Sequence, residues 1–324
     1  MIKTALNGGY LRPYRFKRVI DNYLSSKINR SEYEKRLLEE ISNVYKKMSE
    51  IGIEVVTDTL IPWDDIINIS FNLFDGLDKG ELIRFYENNF YYRTPIIKNK
   101  LKLNAENYIE LESKIRDIAS GYGFKEFKAV IPGPLTFTEL SKNEFYNSKY
   151  DIIIDYINLL QDLLRLLKSN GVEFIEFHEP SLTSKESNSK LINFTIAKIN
   201  EVFSTEKGVI ISTYFYENNK GVKLLPHLKV EQVNIDLTEV KNINPILKDF
   251  KGRRKIGLGV VNSRDAKMEK ISKLLRICKR VINLSLNEIY LMPSTFLDFL
   301  PEKVADRKLK LMVRAKYLCQ GESR

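Results

Sequence analysis

Glu176, His178 and Glu179 stand close together in Gly171-Val-Glu-Phe-Ile-Glu-Phe-His-Glu-Pro-Ser-Leu182, at the polar end of a short apolar run. Carboxylates and imidazoles are the side chains on which proton transfer and metal ligation draw. With Asp236 further along, Glu176 and Glu179 could serve as acid, base or metal ligand at the mouth of a barrel. Paired carboxylates at a suitable separation also support glycosidic chemistry. Glu176, however, should face the opposite side of its strand from Phe177. Pro180 offers no N–H to extend a ladder, so the side chains before it are presented at a strand end. A solvated loop with a salt-bridged Glu179 has the same local pattern. The role of these acids therefore depends on the elements around them.

Val172 to Phe177, running into His178-Glu179-Pro180, has the form of a parallel barrel strand whose carboxyl end enters an active-site mouth. The rest of the chain repeats that form. Strands are expected at Ile2 to Leu6, Ile53 to Val56, Lys128 to Ile131, Val209 to Tyr214, Gln232 to Asp236, Ile256 to Val261 and Ile282 to Leu286, the last extending somewhat beyond Leu286. Helical patterns lie between them, among them Ser31 to Glu50, Ile152 to Lys168, Ser189–Phe203, Ile243–Phe250, Asp265–Lys279 and Glu302–Leu318. Ser31 with Glu34 reads as a capping box, and Gly52 as the end of that helix. Residues 62 to 126 are less regular and look like an elaborated connection after the second strand. The pattern predicts one (β/α)8 TIM barrel over residues 1–324. An open doubly wound sheet is the other arrangement to weigh, but no G-x-G-x-x-G follows the first strand.

A net charge of +10, from 52 basic and 42 acidic side chains, favours anionic ligands or partners. The charges are dispersed except at Lys251-Gly-Arg-Arg-Lys255, so a polyanion-binding module resting on that run is the weakest of three readings, and nucleic acid is not demanded. Cys278 and Cys319 are too few and too far apart in sequence for a disulfide framework. With no long apolar run near the N-terminus and none of membrane-spanning length, a cytoplasmic protein is expected.

Several strand ends carry distinctive motifs: Asn7-Gly-Gly-Tyr-Leu-Arg12, Asn88-Asn-Phe-Tyr-Tyr-Arg-Thr-Pro95, Pro132-Gly-Pro-Leu-Thr-Phe137, Phe177-His-Glu-Pro-Ser-Leu182, Ser212-Thr-Tyr-Phe215 and Gly257-Leu-Gly-Val-Val261. In this order the set resembles the cobalamin-independent methionine synthases. That family is built from two related barrels. The carboxy-terminal one binds homocysteine on a zinc ion, and the amino-terminal one lacks the zinc and helps to hold the polyglutamate tail of the methyl donor. Asn88 to Tyr92, Ser212 to Phe215 and Pro293-Ser-Thr-Phe-Leu-Asp-Phe-Leu-Pro301 match the amino-terminal barrel better, here as a stand-alone protein.

The resemblance implies a role in methionine biosynthesis alongside a separate zinc-bearing barrel, with a methylated reduced pterin as donor. At the zinc-ligand places stand Ser212-Thr213-Tyr214, Asp236 and Thr295, of which only Asp236 could coordinate a metal. Zinc, a tightly bound cofactor and an independent catalytic residue are therefore not expected in this chain. Lys17 and Lys98 match the family's basic contacts to the glutamate tail, Arg15 and Arg18 are their neighbours, and Glu179 lies at the mouth. Arg15-Phe-Lys-Arg18 departs from the family's usual Arg-Glu-Leu-Lys, and Ile96 replaces an acid, which leaves room for a donor with a different tail. The rival from another class is a self-sufficient barrel enzyme using Glu176, Glu179 and Asp236.

Overall fold

The computed structural model describes residues 1–86, 88, 90–215, 219–238, 240, 243–252, 255–283 and 286–321. Strands β1 (Ile2–Thr4), β2 (Val55–Thr57), β5 (Glu126–Pro132), β7 (Phe174–His178), β8 (Val209–Thr213), β9 (Gln232–Asp236), β10 (Lys255–Val261) and β11 (Glu288–Pro293) form an eight-stranded sheet. Its order is β1-β11-β10-β9-β8-β7-β5-β2, every pairing is parallel, and an Ala5–Val55 bridge brings its two ends together. This is the (β/α)8 barrel that the sequence predicts.

Helices α1 (Tyr14–Leu24), α2 (Arg30–Ile51), α4 (Glu106–Gly121), α5 (Pro134–Leu140), α6 (Lys149–Ser169), α7 (Ser189–Phe203), α8 (Asn219–Leu224), α9 (Ile243–Asp249), α10 (Ile271–Asn283) and α11 (Glu302–Gln320) connect the strands or follow the last. Each longer helix buries one apolar stripe. On α6, Ile153, Tyr156, Ile157, Leu160, Leu164 and Leu167 recur at helical spacing and are all buried. Truncating one of these to Ala should cost about 2–5 kcal/mol. None of the described helices is long and apolar enough to cross a membrane.

Several boundaries differ from the sequence reading. The cap of α2 is Asn29, whose side chain accepts from Glu32 N–H, rather than Ser31. The last strand is Glu288–Pro293. Ile282 belongs to α10, because Leu274, Ile277, Cys278 and Val281 carry the helical period up to it. The irregular stretch contains a short helix α3 (Ser70–Leu73) and a long antiparallel hairpin, β3 (Phe74–Arg84) with β4 (Tyr91–Leu103). A two-residue strand β6 (Lys142–Asn143) adds to its edge.

Candidate functional site

Side chains two apart on a barrel strand share a face, and this places Glu176 and His178 together. Phe177, between them, points the other way and packs on Phe203 of α7. Lys128 of β5 forms a buried ion pair with Glu176 and also donates to Leu6 O at 2.8 Å. Burial alone would raise the Glu176 carboxyl. Lys128 and His178 outweigh it and hold the group down at about 2. His178 Nε2 lies 3.0 Å from Glu176 Oε1 and its Nδ1 3.1 Å from the Tyr214 hydroxyl. An ionised Glu176 only accepts, so Nε2 carries a proton.

The network continues around the barrel. Ser212 Oγ is 2.7 Å from Glu176 Oε1 and accepts from Asn234 Nδ2 at 2.6 Å, and Gln232 donates to Asn234 at 2.7 Å. Asn7 Nδ2 donates to the carbonyls of Pro293 and Ser294, across the seam between β1 and β11. Gly8 is held at φ +68°, and a Cβ there would lie 2.6 Å from His178 Cε1. Only glycine lets the first loop pass this close to the imidazole.

An aromatic layer covers this network. Phe296 stacks on His178 at 5.8 Å between centroids and on Phe299 at 5.4 Å, and it also meets Phe85, Phe90 and Tyr214. Phe215 contacts Phe85, Tyr214 and Phe299, with the Arg264 guanidinium 4.7 Å from its ring centre. Three separate sequence motifs thus meet in one lid, and Glu176, His178 and Glu179 have no exposed surface beneath it. That convergence had no signal in the sequence beyond the abundance of Phe and Tyr in the motifs.

Glu179, expected as an acid or donor contact at the mouth, lies buried against α5. Its carboxylate accepts from Leu135 N at 2.7 Å, Thr136 N at 2.9 Å and the Thr136 hydroxyl at 2.6 Å. A Cβ on Gly133 would sit 2.0 Å from Glu179 Cγ, so that glycine makes room for the acid. Burial raises Glu179 to about 7 against these three donors. Asp236 is also occupied, accepting from Thr238 N and its hydroxyl at 2.7 Å each.

The residues at the zinc-ligand places do not fit zinc. Ser212 and Thr213 offer neutral hydroxyls already in hydrogen bonds, Thr213 donating to Asn234 O, and Tyr214 meets His178. Among the described residues, no group of three or more His, Cys, Asp or Glu side chains is arranged to hold a metal.

The predicted basic contacts lie outside this network. Arg15, Lys17 and Arg18 are exposed on α1. Arg15 forms a two-pronged pair with Glu40 of α2, at 2.9 and 2.6 Å, while Lys17 and Arg18 make no ion pair with the described residues. Lys98 is on β4, exposed and paired with Glu144. Further along α1, Tyr23 stacks on Tyr33 at 4.5 Å and lines a groove of about 540 Å³ between α2 and α4, with Trp63 and Tyr108 on its wall. Tyr92 is buried and donates to Leu140 O, whereas Tyr91 is exposed. Arg253 and Arg254, the centre of the basic run, lie outside the described residues.

Comparison with known proteins agrees with this architecture. The family described as "Cobalamin-independent synthase, N-terminal domain" matches residues 75–285. Methionine synthase of Sulfolobus acidocaldarius is 24% identical, over 99% of this chain and 93% of that protein. The corresponding protein of Sulfurisphaera tokodaii is also 24% identical, over 99% and 94%. The structure of a B12-independent methionine synthase from Shewanella sp. W3-18-1 superposes with a TM-score of 0.81 at 13% identity, covering 98% of this chain and 97% of that one. The match over residues 75–285 and the shared barrel place the chain in the cobalamin-independent methionine synthase family, on its N-terminal-domain side.

Proposed function

We propose that this chain is a donor-holding barrel of methionine synthesis. It would work beside a separate zinc-bearing barrel that activates homocysteine, and bind the methylated reduced pterin rather than supply the nucleophile. The observation that carries this reading is the state of the barrel mouth. Apart from Asp236, which is held by Thr238, its ligand places carry hydroxyl side chains, and Glu176 and His178 are held in a hydrogen-bonded network beneath aromatic rings. Binding and positioning remain, and they can supply much of a rate enhancement without a reacting side chain.

The binding surface has the required chemistry on α1. Lys17 and Arg18 are exposed cations with no partner among the described residues, and each contact to a tail carboxylate would be charge-assisted. On the same helix Tyr23 borders the aromatic groove, where Trp63 offers a face to a pterin ring. Arg15 would need to exchange Glu40 for the donor, and Lys98 to exchange Glu144. A partner barrel has apolar surface to meet in the exposed Leu82, Ile83 and Tyr91 near the turn of the β3–β4 hairpin.

The test is reconstitution. Homocysteine methylation by the zinc-bearing barrel from the same organism is measured with and without this protein, using short-tail and long-tail methyl-pterin donors. The reading expects tail-dependent stimulation that is lost in Lys17→Ala and Lys98→Ala. Absence of both stimulation and complex formation would overturn it.

One observation favours a second reading. The two archaeal relatives named methionine synthase are of nearly this chain's length, so the name attaches to proteins about the size of one barrel. A self-sufficient enzyme would bind stoichiometric metal after gentle purification and methylate homocysteine alone. A metal-free, inactive chain rules that reading out.

A further inference from the structure

One of the short outer helices lies between β9 and β10. There α9 has seven residues, about 10 Å of helix, against 21 residues in α6 and 15 in α7. It packs toward α8, while α10 packs on α11. Between α9 and α10 a groove of about 510 Å³ is left open. Leu237, Val240, Ile243 and Ile277 give it an aliphatic lining.

Among the described residues its charge is of one sign. Lys273, Arg276, Lys279 and Arg280 line the groove, no acid among the described residues does, and none of the four forms an ion pair with the described residues. Lys273, Arg276 and Arg280 stand at i, i+3 and i+7 of α10, the spacing of a single helical stripe. Arg280 Nε is shut off from water without a hydrogen-bond partner, which is a standing cost unless an acceptor is brought to it.

We propose that this groove is a docking site for an acidic amphipathic helix of a partner protein. Carboxylates along the incoming helix pair with the α10 stripe, and aliphatic side chains beside them cover the lining. This is the helix-in-groove mode of recognition. Single-stranded nucleic acid is the poorer match, because it needs aromatic platforms on which bases stack, and no aromatic residue among those described lines the groove. The site is independent of the α1 surface, lying between α9 and α10.

The test is fluorescence anisotropy on the full chain. The probe is a labelled helical peptide of about 14 residues, four turns, with Glu on one stripe and Leu on the adjoining one. A peptide of the same composition in scrambled order and a labelled oligouridylate serve as comparisons. Salt-sensitive binding of the patterned peptide is expected, weakened at least about tenfold in the Arg276→Glu/Arg280→Glu variant. Because both arginines reach solvent, thermal unfolding should show that variant folded. Should it not fold, protection of Lys273 and Lys279 from acetylation by the bound peptide, read by mass spectrometry on the unaltered chain, gives the same answer. Equal binding of the scrambled peptide, tighter binding of the oligouridylate, or no protection of these lysines would overturn the proposal.

Discussion

Two lysine–glutamate pairs show how differently the two sides of this barrel use the same side chains. Inside, Lys128 and Glu176 are 2% and 0% exposed and tie β5 to β7. Outside, Lys98 of the hairpin and Glu144, just after β6, are 42% and 31% exposed. The inner pair is short of water and surrounded by further hydrogen bonds, so neither partner can be spared. The outer pair is screened, and water can replace either member. A buried charge network therefore fixes the fold of the mouth, while the exposed cations can change partners at little cost to the fold. Residue type alone does not separate these roles; burial does.

The largest effect should come from breaking the inner pair. Glu176→Leu leaves the Lys128 ammonium buried and uncompensated, and should cost about 3–5 kcal/mol in urea denaturation. Adding Lys128→Met should recover a good part of that loss. If the double variant is no more stable than the single one, the pair is not the unit proposed here. Gly133→Ala comes next, because the new Cβ meets the Glu179 side chain, and a loss of about 1–3 kcal/mol is expected from overpacking.

The pH dependence of stability separates two of the buried acids, Glu176 and Glu179. Glu176 is held below its ordinary 4.5, so its contribution is complete above that pH and is lost as the pH falls toward about 2. Glu179 is raised from 4.5 to about 7, which has the opposite sign. Between those values the folded chain holds a proton that the unfolded chain releases, and stability declines as pH rises through the window. Urea midpoints measured from pH 3 to 8 should therefore fall on both sides of a maximum, with the upper decline reduced in Glu179→Gln. A curve that rises steadily through pH 7 would contradict the assignment for Glu179.

On the outer surface the effects on stability should be small. Arg15→Ala removes a mostly exposed guanidinium from Glu40, and about 0.2–1 kcal/mol is expected. Lys17→Ala should leave the melting temperature within about a degree or two, since such surface changes stay near ±0.5 kcal/mol.

Much of the barrel was legible in the sequence because parallel strands buried on both faces stand out as apolar runs, as in Val209–Thr213. The hairpin was not. In β3, Gly76, Lys79, Gly80 and Glu81 break any apolar alternation, and its order comes from pairing with β4. The apolar stretch at Ile282 reads as a strand on its own because a short run does not reveal its period, whereas the wider α10 pattern does. At the site, the hydroxyl character of Ser212, Thr213 and Tyr214 was plain in the sequence. The burial of Glu179 against α5 was hidden because it depends on a space left by Gly133, 46 positions earlier in the chain. The aromatic lid joins residues from Phe85 to Phe299 and could emerge only once the barrel had closed.

The most direct test of the contrast between inner and outer charges is donor binding by isothermal titration calorimetry, with methyl-pterins carrying one or several glutamates. The account predicts that affinity rises with tail length, and that Lys17→Ala and Lys98→Ala remove this rise in a protein that still melts normally. Binding that ignores tail length, or that persists unchanged in both variants, would contradict it.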